Sequence, residues 1–117
     1  MSTCIFCQIA KHQVPSKIEY EDKEIIAIQD IKPATKVHLL VLSKKHIESV
    51  NDLKEPDTKL IGKMVLTAKK LAQKYHTDQK GYKLVLNTGP WSGQTISHLH
   101  LHLLGGQPLT SKKILDI

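Results

Sequence analysis

The stretch of this chain best equipped for chemistry is His98-Leu99-His100-Leu101-His102-Leu103-Leu104. In a β-strand successive side chains point to opposite faces, so three imidazoles would line one face and three leucines the other. Leucines set into a core would hold such a strand rigidly, which is the support a reactive group requires. Imidazoles repeated at i, i+2 and i+4 gain nothing from packing on one another, so the pattern points to function. Two chemistries compete. Three histidines could bind zinc and leave an open coordination position, but residues i and i+4 of a regular strand lie ~13 Å apart, too far to share one ion. Alternatively, one imidazole is a nucleophile oriented by its neighbours. With an ordinary pKa of ~6.5, most of it is neutral at pH 7 and carries a free lone pair. Covalent catalysis then divides one difficult displacement into two easier ones.

Cys4 and Cys7 form a Cys-x-x-Cys pair, which is half of a common zinc site. A redox pair would normally sit at a strand-to-helix junction inside a βαβ unit, and this one stands near residue 1. His12 and His76 belong to no motif and read as surface residues.

The elements that must position these groups follow from periodicity. Cys4 to Lys11 suits a short helix, closed ahead of Pro15. Lys17 to Tyr20 and Glu24 to Gln29 read as short strands joined by a tight turn at Glu21-Asp22-Lys23, and Asp30 to Pro33 breaks the second. Val37 to Leu42 is a nearly continuous apolar run of strand length, expected at the centre of a sheet. The clearest helix runs from about Pro56 to Tyr75, with Leu60, Ile61, Met64, Val65, Ala68, Leu71 and Ala72 on one stripe. Pro56 fits a first turn, where a missing N–H costs nothing. Tyr82 to Asn87 alternates as a strand, Thr88 to Thr95 is a polar glycine-bearing loop, and Ser97 to Leu104 is the last strand, ended by Gly105-Gly106. Five strands and one long helix predict an α+β fold with the helix on a mainly antiparallel sheet.

Composition excludes several alternatives. A chain of 117 residues suits one domain, residues 1–117. Hydrophobic residues make up 40% and charged residues 24%, an ordinary globular balance. No apolar run reaches the ~20 residues of a membrane span. The first residues lack the basic and apolar regions of a signal peptide, so a cytoplasmic location without membrane attachment is expected. The net charge of +6 favours anionic ligands. Lysines in helical and terminal stretches, among them Lys112 and Lys113, are explained by a solvated face. With one Phe and no Arg, the tools for stacking on and reading bases are scarce, so nucleic acid is not the expected partner.

Over nearly its whole length the chain resembles the histidine triad (HIT) family, and within it the nucleotide-binding branch. The family signature, His-φ-His-φ-His-φ-φ with φ apolar, is met at every position from His98 to Leu104. Gln29-Asp30-Ile31, Val37-His38-Leu39, Lys44-Lys45-His46-Ile47, Gly81-Tyr82, Asn87 and Gly93-Gln94-Thr95 agree in order. The resemblance implies an α+β HIT fold with a five-stranded sheet, one long helix and a short N-terminal helix. It implies that His100 attacks the α-phosphorus of a purine nucleotide derivative, AMP-like by default. A nucleotidyl-histidine intermediate forms, and water releases the nucleoside monophosphate. By the same resemblance His38 and His102 line the phosphate site and orient His100. Gly93, Gln94 and Thr95 contact phosphate or leaving group, Asn87 assists, Asp30 accepts from the ribose hydroxyls, and Ile31 lies beside the base. Asp30 taken alone reads as a turn or cap residue.

In the bacterial-type relatives with Cys-x-x-Cys, His46 and His98 complete a structural Cys₂His₂ zinc site, which makes His98 a ligand rather than an acid or base. No catalytic cofactor is implied, and a homodimer is, through the long helix or the Tyr82 to Asn87 strand. The chain departs from the branch in having Thr95 where Ser is common, and in a tail without tryptophan. Its only tryptophan, Trp91, is expected to border the entrance and influence which leaving groups fit. A dinucleoside polyphosphate hydrolase, or a nucleotide-binding regulatory protein with incidental hydrolysis, are the alternatives.

Overall fold

The computed structural model describes residues 2–110; Lys112, Lys113 and the rest of the terminal segment lie outside them. In chain order the elements are α1 (Ile5–Ala10), β1 (Ile18–Glu21), β2 (Ile25–Gln29), β3 (Val37–Ser43), α2 (Thr58–Lys74), β4 (Lys83–Val85) and β5 (His100–Gly105). The strands form one sheet in the order β1-β2-β3-β5-β4, antiparallel at every pairing. This is the α+β arrangement the periodicities predict.

The apolar alternation of the strands splits the core between the two faces of the sheet. On one face Ile25, Ala27, Leu39, Val41, Leu99, Leu101 and Leu103 pack against Leu60, Met64, Ala68, Leu71 and Ala72 of α2. On the other, Ile26, Ile28, Leu40 and Leu42 pack against Phe6, Ile9 and Ala10 of α1. Because β3 is apolar on both faces, it can sit buried between β2 and β5.

Several details differ from the sequence reading, β4 among them, which spans Lys83–Val85 where the sequence reading runs from Tyr82 to Asn87. The long helix begins at Thr58, and Pro56 lies in a preceding 3₁₀ turn, Glu55–Asp57, where the Asp57 carboxylate accepts the Lys54 N–H at 3.0 Å. Val65, placed on the buried stripe from sequence, is 40% exposed, because at i+1 from Met64 it turns ~100° away from the sheet. The last strand starts at His100 rather than Ser97. Residues 96–99 turn instead, with the His98 N–H donating to Ile96 O and the Leu99 N–H to Ile47 O, and the side-chain bonds of His98 described below hold that turn.

Candidate active site and metal centre

Leu99, Leu101 and Leu103 are 2%, 3% and 0% exposed in the helix-side core, so the strand under His100 and His102 is fixed from behind. The alternation of β5 turns these two imidazoles to the α1 side of the sheet. Leu40 of β3 stands opposite His102 and Leu42 opposite His100, and His38 enters the same face two residues before Leu40.

The hydrogen bonds determine which nitrogen of each ring carries a proton. His100 Nδ1 lies 2.6 Å from the His98 carbonyl oxygen. A carbonyl only accepts, so Nδ1 carries the hydrogen and Nε2 keeps its lone pair. At His38 the logic reverses. The Ala34 N–H donates to His38 Nδ1 at 3.0 Å, which leaves the proton on Nε2, and Nε2 donates to His102 Nδ1 at 2.9 Å. His102 is thereby left with its proton on Nε2. One backbone amide at Ala34 thus sets the tautomers of two histidines, and a second backbone group, the His98 carbonyl, sets that of His100.

Burial holds all three rings neutral. It is the first cause that lowers the pKa of His100, partly opposed by the bond to the His98 carbonyl and by Asp30. It also lowers His38, with Asp30 opposing and His100 reinforcing. His102 is pushed down to about 4 by burial, then by His100 and His38. The site therefore holds one nucleophilic nitrogen and one N–H donor on adjacent rings, whose centroids are 4.9 Å apart.

Asp30 is the turn residue that its type suggests, and it also faces the histidines. Its Oδ1 accepts the Lys32 N–H at 2.8 Å in a local turn, and Oδ2 lies 3.4 Å from His38 Nε2. Beside it a hollow of about 550 Å³ is lined by Pro15, Ser16, Lys17, Gln29, Asp30 and Ile31, and Ile31 is 91% exposed there. The Thr88 to Thr95 loop is tied to itself. Gln94 accepts the Gly89 N–H and donates to the Glu48 and Ile96 carbonyls, while Asn87 donates to the Ser92 carbonyl. Gly93 takes φ +89°, a left-handed conformation that a side chain would strain. Thr95 is exposed beside Cys4 and His46, and Trp91 is fully exposed at the tip of the loop. A further hollow of about 600 Å³, among Lys36, Tyr75, His76, Thr77 and Lys80, contains none of the triad. His12 and His76 are exposed residues with φ of 59° and 57°, each just past the end of a helix.

Among the described residues, two clusters hold donor atoms close enough for a metal: Cys4, Cys7, His46 and His98, and separately Asp30, His38 and His102. The first fits. Cys7 Sγ is 3.2 Å from His46 Nδ1 and 3.5 Å from His98 Nδ1, and Cys4 Sγ is 3.3 Å from His98 Nδ1. The edge between S and N of a tetrahedral zinc site is about 3.5 Å. His98 Nε2 donates to the Ser43 carbonyl at 2.6 Å, so Nδ1 offers its lone pair to the cluster, the usual outer support of a ligating histidine. Burial and the adjacent Cys4 push the Cys7 thiol upward, a cost that a bound cation would reverse. The second cluster does not fit. With Ala34 on Nδ1, His38 Nε2 carries a proton and has no lone pair to give. In that triplet one hydrogen bond joins His38 to His102, and the Asp30 carboxylate is a nearby charge 3.4 Å from His38 Nε2.

Sequence reasoning missed Ala34, Ser43 and Phe6. The first two act through backbone atoms, which leave no signature in residue type. Phe6 stands between the two cysteines, with its ring 5.0 Å from that of His100.

Residues 3–114 match the family model described as scavenger mRNA decapping enzyme C-term binding. The purine nucleoside phosphoramidase of Escherichia coli K12 is 37% identical over 105 residues, covering 90% of this chain and 88% of that protein. A HIT family hydrolase from Legionella pneumophila Philadelphia 1 superposes with a TM-score of 0.92 at 42% identity, over 95% of this chain and 99% of that one. A Zn-bound histidine triad family protein from Mycobacterium smegmatis gives a TM-score of 0.79 at 29% identity, over 94% and 78% of the two chains. With its triad complete on β5 and the preceding turn, and with these relatives along nearly its full length, the chain belongs to the histidine triad family and is a hydrolase of that kind.

Proposed function

We propose that the chain hydrolyses phosphoramidate and related bonds on the α-phosphorus of purine nucleotides. The observation that carries this reading is the bond from His100 Nδ1 to the His98 carbonyl, which leaves Nε2 unprotonated on a strand backed by the core. The Nε2 lone pair forms a bond to phosphorus as the bond from phosphorus to the leaving amine breaks, and the amine nitrogen takes up one proton from solvent. Water then attacks the phosphorus of the nucleotidyl-imidazole and gives up one proton to solvent, the P–N bond to His100 breaks, the nucleoside monophosphate is released and the free imidazole is restored. His102 Nε2–H, oriented from Ala34 through His38, donates to a phosphoryl oxygen as charge builds on it. Donors aimed in advance at such developing charge supply much of the rate enhancement in many enzymes. The Thr95 hydroxyl serves the leaving group. Asp30 and Ile31 beside their hollow hold ribose and base. Asn87, Gly93 and Gln94 shape the loop that closes over the phosphate.

Cys4, Cys7, His46 and His98 would hold zinc, which supplies structural rigidity and no chemistry to the reaction. Thiolate ligands need a reducing environment, which agrees with a cytoplasmic protein. A homodimer, formed through the long helix α2 or the β4 strand, belongs to the same reading. The relative named a purine nucleoside phosphoramidase supports purine as the base.

The test is AMP release from adenosine 5′-phosphoramidate by the parent and by His100→Asn. Turnover by the parent and none by a folded variant is the expected result. Absence of turnover in both with AMP bound would leave a nucleotide-binding protein, and absence of both activity and binding would remove the reading.

A further inference from the structure

The hydrogen bond at Nδ1 fixes one point of the His100 imidazole but leaves the ring free to swing about that point. Attack on phosphorus requires the Nε2 lone pair to keep one direction, since misplacement by an ångström costs orders of magnitude in rate. Two aromatic rings pack against the imidazole. His102 lies 4.9 Å away at an interplanar angle of 63°, and Phe6 lies 5.0 Å away at 64°. Phe6 also stands edge-on to His98, 5.8 Å away at 87°, and it is 5% exposed. It is carried on α1, a helix of six residues whose N-cap is Cys4 and whose third residue is Cys7. The Cys4–Cys7–His46–His98 cluster therefore anchors, at one end, the helix that places Phe6 and, at the other, the residue whose carbonyl receives the His100 Nδ1–H.

We propose that Phe6 is a positioning residue for His100, and that the cysteine–histidine cluster and the nucleophile form one mechanical unit joined through Phe6 and the His98 carbonyl. This rests on the reading of His100 as the nucleophile. The cluster then has a part in turnover without touching substrate: it keeps the ring that backs His100 and the acceptor that fixes its tautomer in one frame. Ile9, buried at 7% on the same helix and in the same apolar cluster, supplies the contrast, because it packs α1 to the sheet without belonging to that ring contact.

The experiment compares the full-length parent, Phe6→Leu and Ile9→Ala, each purified with zinc supplied. Bound zinc is measured by atomic emission, kcat and KM on adenosine 5′-phosphoramidate, and the ring signals of His100 by ¹⁵N NMR. Phe6→Leu is expected to keep the zinc content of the parent and a KM within about twofold, to lose tenfold or more in kcat, and to shift or broaden the His100 ring signals. Ile9→Ala is expected to leave kcat and those signals at the parent's values. Unchanged kcat and ring signals in zinc-loaded Phe6→Leu would overturn the proposal. So would a rise in KM alone, which would make Phe6 a substrate contact. Should Phe6→Leu fail to fold, Phe6→Met, which fills the space with a flexible chain, carries the same comparison. A parent without turnover would sink the phosphoramidase reading, while the NMR comparison would still decide the role of Phe6.

Discussion

Metal removal should release α1 while leaving the sheet intact. The helix has six residues, too short to be stable alone. Ordering it with its two caps costs about 12 kcal/mol, at roughly 1.5 kcal/mol for each of about eight residues. Burial of Phe6, Ile9 and Ala10 returns about 6 kcal/mol, at about 1.5–3 kcal/mol for each large side chain and less for alanine. The segment is short by about 6 kcal/mol, and zinc in comparable small sites contributes ~10–16 kcal/mol of apparent binding free energy. With metal the segment is held by about 4–10 kcal/mol; without it the segment opens. The assay is amide hydrogen exchange with and without a chelator. The amides of Gln8, Lys11, His12 and Gln13, which donate to Cys4, Cys7, Ile9 and Gln8 carbonyls, should lose protection by several orders of magnitude. The amides of α2, packed on the opposite face, should change little. A Lys-specific protease should then cut after the exposed Lys11. Unchanged protection across residues 5–13 after verified loss of metal would show that burial alone holds α1 and would refute the reasoning.

Other outcomes follow from single side chains. Leu101→Ala, which opens a hole behind the triad strand where Leu101 is 3% exposed, should lower stability by about 2–5 kcal/mol in denaturant titration. His102 titrates near 4 in the folded chain, first through burial and then through His100 and His38, against ~6.5 when unfolded. The unfolded chain therefore binds more protons between those values, and stability should fall as pH drops from about 6.5 to 4, by about 2–3 kcal/mol after discounting for partial solvation. His102→Gln should flatten that part of the stability–pH curve, and an unchanged slope would refute the assignment. Gly105→Ala would place a Cβ 2.5 Å from Thr77 Oγ1, the acceptor of the Gly106 N–H. A loss of about 1–3 kcal/mol in a thermal melt is expected, and none would mean that the α2–β4 turn yields freely.

The sequence by itself determined what depends on periodicity and residue type. Alternation placed Leu99, Leu101 and Leu103 in one core and His100 and His102 on the other face. The apolar run of β3 placed that strand inside the sheet, and the Cys-x-x-Cys pair with the family resemblance indicated the four residues, Cys4, Cys7, His46 and His98, that the fold brings together. What the tertiary structure alone decided depends on backbone atoms and on distance between elements. Nothing in the type of residue 34 says that its N–H sets the tautomers of His38 and His102, and nothing in Ser43 says that its carbonyl turns His98 toward the cysteines. Every residue carries the same amide and carbonyl, so their roles appear only when the chain brings them within hydrogen-bond reach. The same holds for Phe6. As a residue it reads as core, and only the packing of α1 on the histidine face puts its ring beside His100.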